Sequence, residues 1–131
     1  MPPKNIIRSK FSFYLFDLNG GGAERVIVTL LNEMHKQNLV VELIVSKKEG
    51  PYLLELNPRI SITEIGSRSL IYNIYSLYKH VKEKGSSHLV TTMRGPSIVT
   101  LIVKIILGTK IKAVIREANT PSQEHAKSGI K

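Results

Sequence analysis

The regular alternation of short apolar runs with segments of helical periodicity constrains this chain more than any other feature. Residues 11–18 (FSFYLFDL) and 39–45 (LVVELIV) are apolar runs without clean alternation, which is typical of strands buried on both faces of a parallel sheet. Between them, residues 23–37 place apolar side chains at the i, i+3, i+4, i+7 spacing of one helix face. We therefore expect an α/β fold, a Rossmann-like three-layer sandwich whose mostly parallel sheet has about five strands joined by right-handed crossovers.

The same alternation continues to residue 116. Residues 60–65, 87–93 and 111–116 are predicted strands, and residues 70–84 and 96–107 are predicted helices. The third strand alternates polar and apolar residues, so we expect it near an edge of the sheet.

Several side chains on the predicted helices receive a structural interpretation. Tyr72, Tyr75 and Tyr78 recur at i, i+3 and i+6, which predicts a partly buried helix face. His35 and His80 are interpreted as helix-end residues. The four histidines of the chain are widely separated and lack carboxylates at ligand spacing, so no metal site is expected.

The length of 131 residues fits one domain, and we expect the termini, residues 1–10 and 122–131, to be flexible. Hydrophobic residues make up 42% and charged residues 22%, which argues against global disorder. The absence of cysteine excludes a disulfide scaffold, a cysteine-ligated metal centre and thiol catalysis.

The charge balance favours anionic partners. The 19 Lys and Arg residues exceed the 10 Asp and Glu residues, giving +9 with histidine neutral. No signal peptide is visible, and the longest apolar run, Ile98–Leu107, is far shorter than the ~20 residues that span a bilayer. We expect a cytoplasmic protein, either soluble or peripheral on the cytoplasmic face of the membrane.

A glycine loop, Gly20-Gly21-Gly22, lies between the first predicted strand and the first helix. Glycines let backbone N–H groups approach a ligand closely, and a helix N-terminus carries free N–H groups and partial positive charge. The loop therefore has two interpretations: an anion site suited to phosphate or carboxylate, or a tight turn that only connects two elements.

Two common phosphate-binding patterns do not fit this loop. Ala23-Glu24-Arg25 stands where a Walker A loop needs Gly-Lys-Ser/Thr, which disfavours a P-loop nucleotidase. Arg25 also occupies the position of the third glycine of the dinucleotide fingerprint. The second strand ends in Ser46-Lys47-Lys48 and lacks the acidic residue that binds the ribose of NAD.

Two segments resemble the group-1 glycosyltransferases, a family with two Rossmann-like domains (the GT-B fold). Residues 18–26, with Gly-Gly-Ala-Glu-Arg-Val after a strand, resemble the opening of the family. Residues 114–121 (VIREANTP) look like its Arg-Glu-His-Asn segment, with Ala118 in place of the histidine. Asn38-Leu39 likewise replaces the family's usual Gly-His pair.

The resemblance implies an incomplete N-terminal, acceptor-binding domain of a glycosyltransferase that lacks the C-terminal Rossmann-like domain. The implied substrates are a nucleotide-sugar donor and a glycan or lipid-linked acceptor of polysaccharide or cell-envelope synthesis, with no metal or bound cofactor in this part. We expect no turnover from this chain alone. The candidate donor-phosphate and acceptor loop is Gly20, Gly21, Gly22, Glu24 and Arg25, and the acceptor-side candidates are Arg94, Arg116, Glu117 and Asn119.

Two alternatives stay open at this point. The charge of +9 is compatible with a nucleic-acid-binding module, although no helix-turn-helix, RNP or zinc pattern is present and we expect no nucleic-acid partner. A nucleotide-cofactor-binding Rossmann module is weakened by Arg25 and Lys47-Lys48. The positive excess in residues 85–131 favours a phosphate-bearing acceptor or an anionic membrane surface.

Overall fold

The computed structural model describes residues 9–66 and 69–116, which contain five β-strands and three α-helices. Two short 3₁₀ turns, Pro51–Glu55 and Gly108–Lys110, lie in the connections. The strands and α-helices, in chain order, are β1 (Lys10–Leu15), α1 (Gly22–Lys36), β2 (Val40–Val45), β3 (Ser61–Glu64), α2 (Leu70–Lys84), β4 (His88–Thr92), α3 (Arg94–Leu107) and β5 (Lys112–Arg116).

The described strands form one sheet in the order β3-β2-β1-β4-β5, and every neighbouring pair is parallel. The chain runs from β1 outward to the edge strand β3, then returns to the other side of β1 and runs outward to β5. The predicted α/β class, the Rossmann-like layering and the edge position of the third strand are confirmed.

Each face of the sheet carries its own apolar core, as a three-layer sandwich requires. On one face, Phe13, Leu43 and Val90 are buried with Ile27 and Leu31 of α1. On the other face, buried side chains of β1, β2 and β4 pack with residues of α2 and α3; this second core consists of Tyr14, Ile44, Leu77, Val81, Leu89, Val99, Val103 and Ile111.

Element boundaries differ slightly from the sequence prediction. Strand β1 ends at Leu15 rather than residue 18, and Lys10, expected in a flexible terminus, is its first residue. Helix α3 begins at Arg94, two residues earlier than predicted, with Pro96 in the first turn where no backbone N–H is required. The predicted bounds of α2 and its glycine cap are confirmed, because Gly85 adopts the left-handed conformation with φ 73°.

The predicted partly buried tyrosine face of α2 is wrong for two of its three members. Tyr72 and Tyr75 are 52% and 57% exposed, whereas Tyr78 packs on the core. A spacing of i, i+3, i+6 drifts around a helix of 3.6 residues per turn, so the three rings do not share one buried face.

Among the described residues, none of the helices combines the length and apolar character needed to cross a bilayer.

A buried polar cluster surrounds Glu42 of β2, which is 4% exposed. The Ser12 hydroxyl donates to one carboxylate oxygen at 2.5 Å, and Ser86 contacts both Ser12 and that carboxylate. His80 Nε2 lies 3.1 Å from both carboxylate oxygens, and Lys10 Nζ lies 3.6 Å from one. His80 is therefore an internal partner of Glu42 rather than the simple helix-end residue that the sequence suggested.

Burial raises the pKa of Glu42, but hydrogen bonds from His80 and Ser12 and the charges of His80 and Lys10 outweigh that effect. The carboxyl pKa therefore lies below its ordinary value, and the cluster favours the ionised form.

A second buried polar chain joins β1, β2 and α2. The Tyr14 hydroxyl lies 2.9 Å from Ser46 Oγ, which donates to Asn73 Oδ1 at 3.0 Å. Burial raises the pKa of Tyr14 to about 12, only partly offset by the bond to Ser46. The phenol therefore stays neutral and acts as a structural donor.

Candidate functional site

A cleft of about 890 Å³ lies at the carboxyl ends of β1, β4 and β5. Strands β1 and β4 are neighbours, and the chain diverges from them toward opposite edges of the sheet. Such a reversal point is where open parallel sheets bind ligands. The cleft is lined by Gly20, Gly21, Gly22, Ala23, Glu24, Val26, Met93, Arg94, Ser97, Ile98, Leu101, Ile115 and Arg116.

The glycine loop forms one wall of the cleft. Gly20 has φ 133°, a conformation that residues with a Cβ rarely adopt, so glycine is required there by backbone geometry. Helix α1 begins at Gly22, and the free N–H groups of its first turn therefore lie beside the lining glycines. This arrangement provides donors and partial positive charge next to the cleft.

The loop after β2 packs against the residues that lead into the glycine loop. Leu18 N donates to Glu49 O at 2.9 Å, and Asn19 Nδ2 donates to the Glu49 carboxylate at 3.1 Å. Gly50, at φ 120°, lies so close that a Cβ would stand 2.1 Å from the Leu18 carbonyl. The position of the glycine loop is thus fixed by backbone packing that only glycine at residue 50 allows.

The start of α3 forms the opposite wall. Met93 precedes the helix with φ 73° and ψ 155°, an uncommon conformation for a residue other than glycine. Ser97 secures it, because the Ser97 hydroxyl and backbone N–H both donate to the Met93 carbonyl, at 2.5 and 3.1 Å. Strained backbone of this kind clusters at functional sites.

The structure brings together most of the residues singled out from the sequence. Gly20, Gly21, Gly22 and Glu24 line one wall, and Arg94 and Arg116 line the other side. Arg25 is exposed and is not part of the lining, since it lies one residue, or about 100° of helix rotation, beyond Glu24. Glu117 and Asn119 lie outside the described residues.

The charged groups of the lining differ in their surroundings. Arg94 and Arg116 are exposed, and within residues 9–66 and 69–116 neither forms an ion pair with a carboxylate. Glu24 is the opposite case: it is 8% exposed and carries no hydrogen bond or ion pair in the same ranges. Two cations and one anion, none of them paired within the described residues, therefore face the same cleft.

Sequence reasoning missed the apolar part of the lining. Ile98 and Leu101 follow Arg94 at i+4 and i+7, so they share its helix face and extend the wall. That spacing was visible in the sequence and would have identified both residues once Arg94 was placed in the helix. Across the described chain, no group of three or more His, Cys, Asp or Glu side chains is placed to hold a metal ion.

Comparison with known proteins gives one informative similarity. No family model matches the chain. The chain is 29% identical over 116 residues to a Campylobacter jejuni enzyme, GalNAc-alpha-(1->4)-GalNAc-alpha-(1->3)-diNAcBac-PP-undecaprenol alpha-1,4-N-acetyl-D-galactosaminyltransferase. The match covers 82% of this chain and 32% of the relative, so the chain spans about a third of that enzyme's length.

Proposed function

We propose that this chain forms the N-terminal, acceptor-binding side of a GT-B glycosyltransferase that transfers a sugar from a nucleotide-sugar to a glycan or lipid-linked acceptor. The cleft carries the proposal, because it joins a glycine loop, a helix N-terminus and two arginines that form no ion pair within the described residues, at the reversal point of the sheet. Similarity to a transferase acting on an undecaprenyl-diphosphate-linked glycan supports it independently.

The cleft has the groups that such a transfer needs. Breaking the bond from the donor sugar to its nucleoside diphosphate leaves negative charge on the diphosphate, while the acceptor hydroxyl forms the new bond and loses its proton. Fixed donors and cations lower the barrier by stabilising that developing charge. Among the described residues of the cleft, Arg94, Arg116 and the first N–H groups of α1 can do so.

The proposal divides the work between two domains. A second Rossmann-like domain would supply most of the nucleotide-sugar site and close the cleft, since the Campylobacter relative is about three times the length that this chain matches. We therefore expect no turnover by this chain alone. A lipid-linked acceptor would place the enzyme at the cytoplasmic face of a membrane, where the charge of +9 would favour contact with anionic headgroups.

Binding of inorganic pyrophosphate to this chain, followed by backbone amide shifts, tests the site directly. We expect saturable shifts centred on Gly20–Gly22, Arg94 and Arg116. The double variant Arg94→Gln/Arg116→Gln should lose this binding. The matched control is Lys79→Gln/Lys84→Gln, which removes an equal number of positive charges from exposed positions on α2 and should retain binding. Equal loss in both variants would indicate non-specific attraction to net charge and would contradict the proposal.

A second experiment addresses the function classes. The protein encoded by the open reading frame that contains this chain should transfer a sugar from UDP-N-acetylgalactosamine to an undecaprenyl-diphosphate-linked glycan. The 131-residue chain alone should not. Transfer by the 131-residue chain would contradict the proposed need for a second domain. Saturable binding of NADPH or duplex DNA to the cleft, without binding of pyrophosphate, would replace the proposal by one of the two alternatives.

A further inference from the structure

Glu24 is a largely buried side chain whose carboxylate oxygens open to the cleft and have no partner among the described residues. It is 8% exposed, lies in the first turn of α1 and lines the cleft. A Cβ built on Gly21 would stand 3.2 Å from Glu24 Oε1, so the carboxylate folds back beside the glycine loop. Within residues 9–66 and 69–116, no hydrogen bond or ion pair satisfies it.

The Glu24 carboxylate oxygens keep some exposure to the cleft, since they are not among the buried side-chain atoms that lack a partner. They lie near the partial positive charge at the N-terminus of α1, which interacts favourably with a carboxylate in the first turn. The remaining hydrogen-bonding capacity faces the cleft, where a ligand that donates hydrogen bonds can use it.

The neighbouring charges narrow the chemistry of that ligand. A phosphate would be repelled by the Glu24 carboxylate at close range. Among the described lining residues, a metal cation finds no second acidic group, and the other charged side chains are Arg94 and Arg116. A neutral donor, such as a sugar hydroxyl, forms a charge-assisted hydrogen bond with a carboxylate. It is not repelled by the negative charge, and it needs no second acidic group.

We infer that the Glu24 carboxylate accepts a hydrogen bond from a hydroxyl of the acceptor sugar and holds that sugar beside Gly21. Phosphate groups are then bound by Arg94, Arg116 and the backbone N–H groups at the start of α1. The inference rests on the proposed function and deepens it, because it assigns the Glu24 carboxylate to the neutral sugar and leaves the arginines and backbone N–H groups to the diphosphate.

The test compares two probes on two variants of the 131-residue chain. The probes are the methyl α-glycoside of N-acetylgalactosamine and inorganic pyrophosphate, each titrated while amide shifts are recorded. The variants are Glu24→Gln and, as a control on the same helix, Glu33→Gln, whose side chain is 54% exposed. Thermal unfolding of both variants verifies that they fold.

We expect Glu24→Gln to weaken glycoside binding about tenfold, which is the loss of one charge-assisted hydrogen bond. Pyrophosphate binding should be unchanged or tighter in Glu24→Gln, because a negative charge has been removed from the cleft. The control Glu33→Gln should bind both probes as the wild type does.

The possible failures are distinguishable. Pyrophosphate binding with equal glycoside affinity in the wild type and in Glu24→Gln would overturn this inference and leave the proposed function standing. Equal weakening of both probes would show that Glu24 only organises the loop, and an absence of glycoside binding to the wild type would also overturn the inference. A wild type that binds the glycoside but not pyrophosphate would count against the proposed diphosphate site instead.

Discussion

Glu42 and Glu24 are both largely buried side chains, and they lie toward opposite ends of the same sheet. Glu42, in the first half of β2, is 4% exposed and is surrounded by two serine hydroxyls, a histidine and a lysine. Glu24, beyond the carboxyl end of β1, is 8% exposed and has none of these partners within the described chain. Similar burial therefore accompanies opposite degrees of hydrogen-bond satisfaction.

The difference separates a structural role from a binding role. Where partners come from β1, α2 and the segment before β4, the carboxylate ties distant parts of the chain together. Where partners are lacking and a cleft is adjacent, the carboxylate is free to bind a ligand. Variants at the two glutamates should consequently change different properties, stability at Glu42 and ligand binding at Glu24.

The largest effect is expected from Glu42→Ala. Removing this carboxylate leaves Ser12, Ser86 and His80 buried without their shared acceptor. Loss of one partner of a buried charge pair typically costs 3 kcal/mol or more, so we expect the free energy of unfolding to fall by about 3 kcal/mol. Urea unfolding measures it, with the exposed Glu33→Ala as control. A change as small as that of the control would show that the cluster contributes little to stability.

A smaller but still large effect is expected at the cleft end from Gly50→Ala. A methyl group there would stand 2.1 Å from the Leu18 backbone, at a φ of 120° that alanine avoids. Overpacking of this kind typically costs 1–3 kcal/mol, and we expect a loss of about 2 kcal/mol together with weaker pyrophosphate binding.

Gly22→Ala is the matched control for Gly50→Ala, because no atom lies within 4 Å of the added methyl group and its φ is not in the positive range. Unfolding of both variants in urea gives the comparison. Similar losses in the two would mean that the contact between Gly50 and Leu18 does not hold the loop.

The next effect in size is the loss of stability at acid pH that the Glu42 carboxylate causes. Because the folded-state pKa of Glu42 lies below its ordinary value, its ionised form stabilises the native state above the unfolded pKa of about 4.3. That contribution is lost as the pH falls through the lower folded-state pKa. The wild type should therefore lose more stability than Glu42→Gln between about pH 5 and pH 3. Parallel curves for the two proteins would contradict the lowered pKa.

The sequence was sufficient for the fold because its signals are local. Apolar runs such as residues 39–45 identify buried parallel strands, and the periodicity of residues 70–84 identifies a helix that the structure reproduces at both ends. The parallel order of the strands then places the loops after β1 and β4 at the same edge of the sheet. The composition of one cleft wall could therefore be predicted without coordinates.

The parts that could not be predicted depend on distant contacts or on a single helical step. Ser12, Glu42, His80 and Ser86 are separated by up to 74 residues, and no local pattern joins them. The sequence groups Arg25 with the glycine loop, but the rotation of about 100° per helical residue places it outside the cleft lining that Glu24 joins.

The smallest effect on stability is expected from Glu24→Gln. The substitution keeps the shape of the side chain and removes a charge that faces the cleft and has no partner within the described residues. Relief of that unpaired charge and loss of its favourable interaction with the α1 dipole oppose each other. We therefore expect the free energy of unfolding to change by less than about 0.5 kcal/mol, as for substitutions away from any buried network. Urea unfolding beside Glu42→Gln measures the contrast. A loss at Glu24 as large as that at Glu42 would mean that both carboxylates are structural and that the two ends of the sheet do not differ in role.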